Sequence, residues 1–181
     1  MNKKTKFIAV ALTALALFIG VQSNAQSVQK GKLRFNIGAD ALLPVGDFSK
    51  TSNFGLGITP QLQYGLTNRV ALTFTSGIYH FFPKDMLSID GPQPYKYRWD
   101  MDLIPAKAGI KAFITSNIYV NAEAGIGFQV DNGGGDSKFM ASGGAGYATK
   151  RWDFGVRYEN FSGNNYRNGM IGLRVAYGFG L

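Results

Sequence analysis

From Ile171 to Leu181 the chain alternates without a break: Ile171, Leu173, Val175, Tyr177, Phe179 and Leu181 share one parity, and Gly172, Arg174, Ala176, Gly178 and Gly180 share the other. Side chains of a β-strand point to opposite faces with period two, so this segment has one greasy face backed by small residues and a single charge. A surface strand of a water-soluble protein would carry Lys, Glu and Thr on its second face. Gly and Ala with one Arg suit a crowded interior, and the greasy face then looks outward into a medium that is not water.

The same signature recurs along the chain. Leu33, Phe35, Ile37, Ala39 and Ala41 alternate with Arg34, Asn36, Gly38 and Asp40; Leu56 to Leu66 alternate with Gly57, Thr59, Gln61, Gln63 and Gly65; Val70, Leu72, Phe74, Ser76 and Ile78 alternate with Ala71, Thr73, Thr75, Gly77 and Tyr79. In a fourth strand Tyr97, Trp99, Met101 and Leu103 share one parity and Ile104, Ala106, Ala108, Ile110 and Ala112 the other, which predicts a β-bulge near Leu103 or Ile104. The fifth strand runs from Ile118 to Val130, a weaker sixth carries Phe139 to Tyr147, and a seventh sets Trp152, Phe154, Val156 and Tyr158 against Asp153, Gly155, Arg157 and Glu159.

With the closing segment this makes eight strands. Short turns fall at 67–69, 115–117 and 149–151, while longer polar or Pro/Gly-rich connections fall near 43–54, 80–96, 131–137 and 161–168. Short turns at one end and long loops at the other, with an even strand count, predict an eight-stranded antiparallel up-and-down transmembrane β-barrel, its turns periplasmic and its loops external. The last strand should pair with Leu33 to Ala41 and leave no free edge. Two aromatic girdles are expected, one with Tyr64, Phe113, Trp152, Tyr177 and Phe179 near the turn end, the other with Phe54, Tyr97, Trp99, Phe128, Phe139 and Tyr158 near the loop end. A soluble ligand-binding barrel would reverse the faces, and the small-residue face here has too few Lys and Glu to be solvated.

The N-terminus reads as an export signal. Lys3, Lys4 and Lys6 precede an apolar run from Phe7 to Val21, and Ser23-Asn24-Ala25 ends in a small residue, so cleavage is expected between Ala25 and Gln26, leaving a single barrel domain over 26–181. Losing three lysines lowers the formal charge from +8 to +5. The remaining cations are scattered, which argues against nucleic acid as a partner. The chain has no cysteine, excluding disulfides, thiolate metal sites and a lipid-anchored cysteine.

The Ile104-Pro105 strand, the Gly155-Val156-Arg157-Tyr158-Glu159 strand and the closing Gly172-Leu173-Arg174-Val175-Ala176-Tyr177-Gly178-Phe179 strand resemble those of the small outer-membrane β-barrel (porin-like) family of Gram-negative bacteria. In architecture the chain is similar to OmpA-type and OmpX-type transmembrane domains. The resemblance implies a monomer in the outer membrane whose partners are outer-membrane lipids and the barrel-assembly machinery. It departs from the pattern in ending Gly180-Leu181 where such barrels usually place an aromatic residue.

Charges on the inner parity are the first candidates for a site. Arg34, Asp40, Lys107, Lys111, Glu123, Arg157, Glu159 and Arg174 all fall there. A lone buried charge is costly, so these residues are expected to pair across the lumen, Lys107 with Glu123 nearly opposite it and Arg174 with Glu159 or a neighbour, as a packed plug. A narrow porin for small solutes is the alternative use of the same residues. A lipid-modifying enzyme would need His80 beside a serine and an acid, nominally Ser76 or Ser88 with Asp85, but no supporting spacing is present. Asp131 to Asp136 has oxygen ligands suited to calcium and equally the composition of a mobile turn. No cofactor or metal is implied, and the expected role is non-enzymatic.

Overall fold

The computed structural model describes residues 29–84, 86–88, 95–97, 101–130, 136–163 and 166–180. The expected signal and its cleavage point at Ala25 and Gln26, the acidic glycine run 131–135, Trp99 and Leu181 lie outside the described residues. Strands are β1 (Leu33–Gly46), β2 (Ser52–Gly65), β3 (Val70–Ser76), β4 (Ile78–Pro83), β5 (Met86–Ser88), β6 (Tyr95–Tyr97), β7 (Met101–Phe113), β8 (Ile118–Val130), β9 (Asp136–Ala148), β10 (Trp152–Gly163) and β11 (Tyr166–Gly180). A single helical turn, α1 (Phe48–Thr51), joins β1 to β2.

Every sequential barrel pairing is antiparallel, and β1 also pairs with β11 from Arg34↔Gly180 to Gly46↔Asn168, so the sheet closes. β3 and β4 act as one staff of the barrel. Both pair with β2 and β7 in one register across Gly77, whose φ of +145° is a conformation that other residues rarely adopt, and the β2–β4 register shifts by one only at its far end, between Ser52 and Phe54. Eight staves therefore make the wall, and β5 and β6 form a separate small hairpin beyond it.

The stagger of the wall can be followed residue by residue. Asn36 pairs with Gln61, Gln61 with Thr75, Thr75 with Lys107, Lys107 with Gly125, Gly125 with Met140, Met140 with Phe161, Phe161 with Asn168, and Asn168 with Gly46. One circuit thus returns to β1 ten residues further along, at Gly46 after starting from Asn36. With strands ~4.8 Å apart and a rise of ~3.3 Å per residue, that stagger gives a tilt of ~40° and a backbone radius of about 8 Å. Such an interior has room for side chains and little else.

Three turns close one end, and each starts with threonine. The hydroxyl oxygens of Thr67, Thr115 and Thr149 accept from the backbone N–H groups two and three residues on, at 2.9 to 3.4 Å. This is the local side-chain-to-backbone bonding that favours Thr in turns.

The outer wall is apolar over most of its height, with His80 and Asp102 as a polar pair toward the loop end. Ile58, Leu72, Phe74, Ile110, Ile126, Val156, Leu173 and Val175 all face outward, with Ile58 61% and Leu173 52% exposed. Surface of this kind is stable against lipid and not against water, and a closed sheet leaves no unpaired edge in the bilayer. Tyr64, Trp152 and Phe179 stand outward toward the turn end, and Phe54, Phe128, Phe139 and Tyr158 toward the loop end.

Several expectations are corrected. No bulge occurs near Leu103, because β7 and β8 pair continuously from Asp102↔Val130 to Phe113↔Tyr119. Leu103 points inward with the rest of its parity, into an apolar layer of the lumen. Phe113 is not a girdle residue; it is 7% exposed and packs inside against Tyr119, Ala71 and Ala148. The connection at 43–54 shrinks to Asp47 and α1, since β1 runs on to Gly46 and β2 starts at Ser52. The connection at 80–96 likewise loses His80 to Pro83 to β4, where Pro83 sits opposite Ser52 at the end of the ladder and needs to donate no hydrogen bond. Strands also reach into 136–137, 161–163 and 166–168, so their lengths of 12 to 15 residues exceed the usual membrane span.

Candidate functional site in the barrel lumen

The inward residues of the staves meet in layers. Toward the loop end Leu42, Phe48, Phe81, Leu103, Met140, Phe161 and Met170 form one buried apolar cluster, with Tyr79 at its inner side. Toward the turn end Ala71, Phe113, Tyr119 and Ala148 form a second. Between these two lids lie the charges.

The central group holds Lys107, Arg157 and Arg174 against Asp40, Glu123 and Glu159, three of each sign. Glu159, with no exposed surface, accepts from Lys107 Nζ at 2.7 Å and from Arg157 Nε, while Tyr79 Oη lies 3.4 Å away. Arg157 also donates to Asp40 at 2.7 Å and to Tyr79 Oη at 2.9 Å. Asp40 accepts from the Thr59 hydroxyl and faces Arg174 at 3.5 Å, and Arg174 donates to both the hydroxyl and the carbonyl of Thr59.

Glu123 is held differently. One of its oxygens accepts from Thr73 at 2.9 Å, Thr75 at 2.8 Å and Gln61 at 3.2 Å, and the other lies 3.6 Å from Lys107. Charge-assisted bonds from hydroxyls and an amide stabilise a carboxylate without an adjacent cation of its own.

A second, smaller group sits toward the turn end. Lys111 pairs with Asp153 at 2.5 Å and lies 4.1 Å from the centre of the Tyr119 ring, whose hydroxyl donates to Asp153 at 2.6 Å. Arg34, half-buried, donates to Asn36 at 2.9 Å and to the carbonyl of Thr149 at 3.1 Å. A void of about 20 Å³ lies among Gln61, Lys111, Tyr119, Glu123, Arg157 and Arg174, room for one water.

The eight residues singled out from sequence therefore all face inward, seven of them buried, but their pairing differs in part. Arg174 is matched by Asp40, directly opposite it across the β1–β11 seam, while Glu159 is taken by Lys107 and Arg157. Sequence reasoning missed Asp153, Tyr79, Tyr119 and the Thr59, Gln61, Thr73 and Thr75 shell. All of these share the inner parity of their strands, and that parity was the signal for them.

The one histidine lies elsewhere. His80 is on the outer wall, its Nδ1 2.7 Å from Asp102, with both side chains about 40% exposed and the Phe82 ring 4.7 Å from the imidazole centre. Among the described residues its acid is Asp102, across the β4–β7 ladder; Asp85 and the Ser88 side chain lie outside them. Outside the membrane-spanning wall, Lys50 on α1 pairs with Asp47 at 2.7 Å, and that hydrogen bond raises its pKa above the ordinary lysine value.

No family model and no curated protein matches the sequence. Solved structures do match in fold. The crystal structure of Ail, the attachment invasion locus protein of Yersinia pestis, superimposes with a TM-score of 0.56 at 15% identity, over 83% of this chain and 100% of that one. The same protein in complex with the heparin analogue sucrose octasulfate gives 0.57 at 16% identity with the same coverage. The outer membrane protein OprG from Pseudomonas aeruginosa gives 0.50 at 9% identity, over 86% of this chain and 99% of that one. The chain has the fold of the small outer-membrane β-barrels, and its closed, apolar-walled sheet is an outer-membrane structure.

Proposed function

We propose that this outer-membrane barrel is a non-enzymatic integral protein whose lumen is a plug, so that its biological task is carried out by the end that bears the loops, in envelope integrity or surface interaction. The observation that carries this reading is the layered lumen: six balanced charges, bonded to one another and to hydroxyls, between two apolar lids. Opening a passage would require separating buried ion pairs and wetting apolar layers at both ends, each unfavourable. The export signal, cleavage after Ala25, contact with outer-membrane lipids, delivery by the barrel-assembly machinery and a monomeric state belong to the same reading.

Single-channel recording in planar bilayers tests the plug. Insertions should leave the bilayer closed or show rare, brief steps; stable openings in most insertions would establish the narrow porin instead. An enzyme acting on lipid draws support only from His80 and Asp102 on the outer wall, where the contacts of the imidazole are that carboxylate and the Phe82 ring, with no hydroxyl nucleophile beside it among the described residues. Release of lipid A fatty acids that disappears in His80→Ala would overturn the non-enzymatic assignment.

A further inference from the structure

The lumen ends, on the loop side, in a cup. A cavity of about 370 Å³ opens above the apolar lid, floored by Phe48, Met101, Leu103 and Phe161. Its volume lies within the range of small-molecule sites, about 300–1,000 Å³, and like them it combines an apolar body with a few polar groups. The floor is closed, because behind it Leu42, Phe81, Met140 and Met170 are fully buried and the ion network lies beyond. What enters this cup cannot continue through the barrel. It is a receptor shape and not the mouth of a conduit.

The rim sets the charge. Lys138 projects inward from β9, half-buried, and no carboxylate among the described side chains lies within ion-pair distance of it. Lys50 also lines the cup, but Asp47 neutralises it at 2.7 Å. Among the described side chains that line the cup, Lys138 is therefore the cation with no carboxylate beside it, above an aromatic and aliphatic floor.

We propose that this cup binds a small amphipathic monoanion, an aromatic or short aliphatic body carrying one carboxylate. The body packs on Phe48, Phe161 and Leu103, and the carboxylate meets Lys138. Asp47 is already held by Lys50 and so offers a dication little, a neutral compound makes no use of the Lys138 charge, and a polyanion would meet Asp47 beside the cation that suits it. The site rests on the plugged-lumen reading, since Phe48, Leu103 and Phe161 belong to the apolar lid that closes the floor of the cup.

The test uses the full mature chain refolded into lipid nanodiscs, with the methyl NMR signals of Met101 and Leu103 as reporters. The probes are 4-phenylbutyrate, its neutral amide and 4-phenylbutylamine, which share one body and differ in charge. Phenylbutyrate should give saturable shifts, and the amide and the amine should bind at least about fivefold more weakly, the scale of one charge-assisted contact. Lys138→Gln should bring phenylbutyrate down to the level of the amide, Met101→Trp should fill the cup and abolish saturation, and Asp47→Asn, by freeing Lys50, should tighten binding. Retention of the heat-sensitive gel mobility of a folded barrel is the control for each variant. Equal affinity for the three probes, unsaturable shifts as from partition into lipid, or phenylbutyrate binding unchanged by Lys138→Gln would overturn the proposal.

Discussion

Replacing Glu159 by Gln keeps the shape of the side chain and removes one charge from a balanced set of six. Lys107 and Arg157, both buried, then share a neutral amide whose own N–H groups can point at them. At 2.7 Å and an effective dielectric of 20, the gross attraction of Lys107 to Glu159 is about 6 kcal/mol, which is a ceiling because desolvation has already consumed part of it. Removing one partner of a buried pair commonly costs 3–5 kcal/mol, and a loss of about that size is expected here. The assay is urea unfolding in lipid vesicles, followed by tryptophan fluorescence and gel mobility. The double variant Lys107→Met, Glu159→Gln restores the balance of signs and should be closer to the parent than Glu159→Gln alone. A single variant within about 0.5 kcal/mol of the parent, or a double variant whose loss is the sum of the two singles, would refute the idea that the network acts as a neutral unit.

Other outcomes follow from the wall and its ends. Leu173→Arg puts a charge on the lipid face and should destabilise the barrel by about 2–4 kcal/mol in vesicle unfolding, whereas Leu173→Ile should be nearly silent. Gly77→Ala sets a Cβ against the Ile58 carbonyl at a φ of +145°, and should lower refolding yield with a strain cost of about 1–3 kcal/mol. Lys50 should titrate above an ordinary lysine in an NMR pH series, and Asp47→Asn should return it to the usual value. Because its pKa is raised in the folded state, any stability from that contact is present below the unfolded lysine pKa and fades as pH rises through the folded one.

Much of this fold is legible in sequence because a barrel in lipid obeys a simple local rule: period two, greasy side out, small or polar side in. The rule identified all eight staves and the inward direction of Arg34, Asp40, Lys107, Lys111, Glu123, Arg157, Glu159 and Arg174. It misled where apolar residues point inward. Met101, Leu103 and Phe113 imitate a change of face or a girdle, since period two tells that a parity continues but not that a lid layer needs grease inside. Ends of staves were lost to the same locality: Pro83 looks like a loop residue until Ser52 is seen opposite it. Pairings across the lumen were the least legible. A hairpin turn fixes the register of two neighbours, but Asp40 meets Arg174 only through the β1–β11 seam, and Lys111 meets Asp153 only through the stagger accumulated round the ring.

That seam has a kinetic consequence. Its two sides are the first and last strands of the sheet, Arg34 against Gly180 at one end, so the contact with the greatest sequence separation is also the one that completes the fold. Asp40 and Thr59 stand on one side of it, Arg157 and Arg174 on the other. Until the two sides join, four polar groups of the interior have no partners across the gap, and the sheet keeps two raw edges. Closing the seam is thus the pairing on which contact order weighs most, and the ion network is completed in the same event that shuts the sheet.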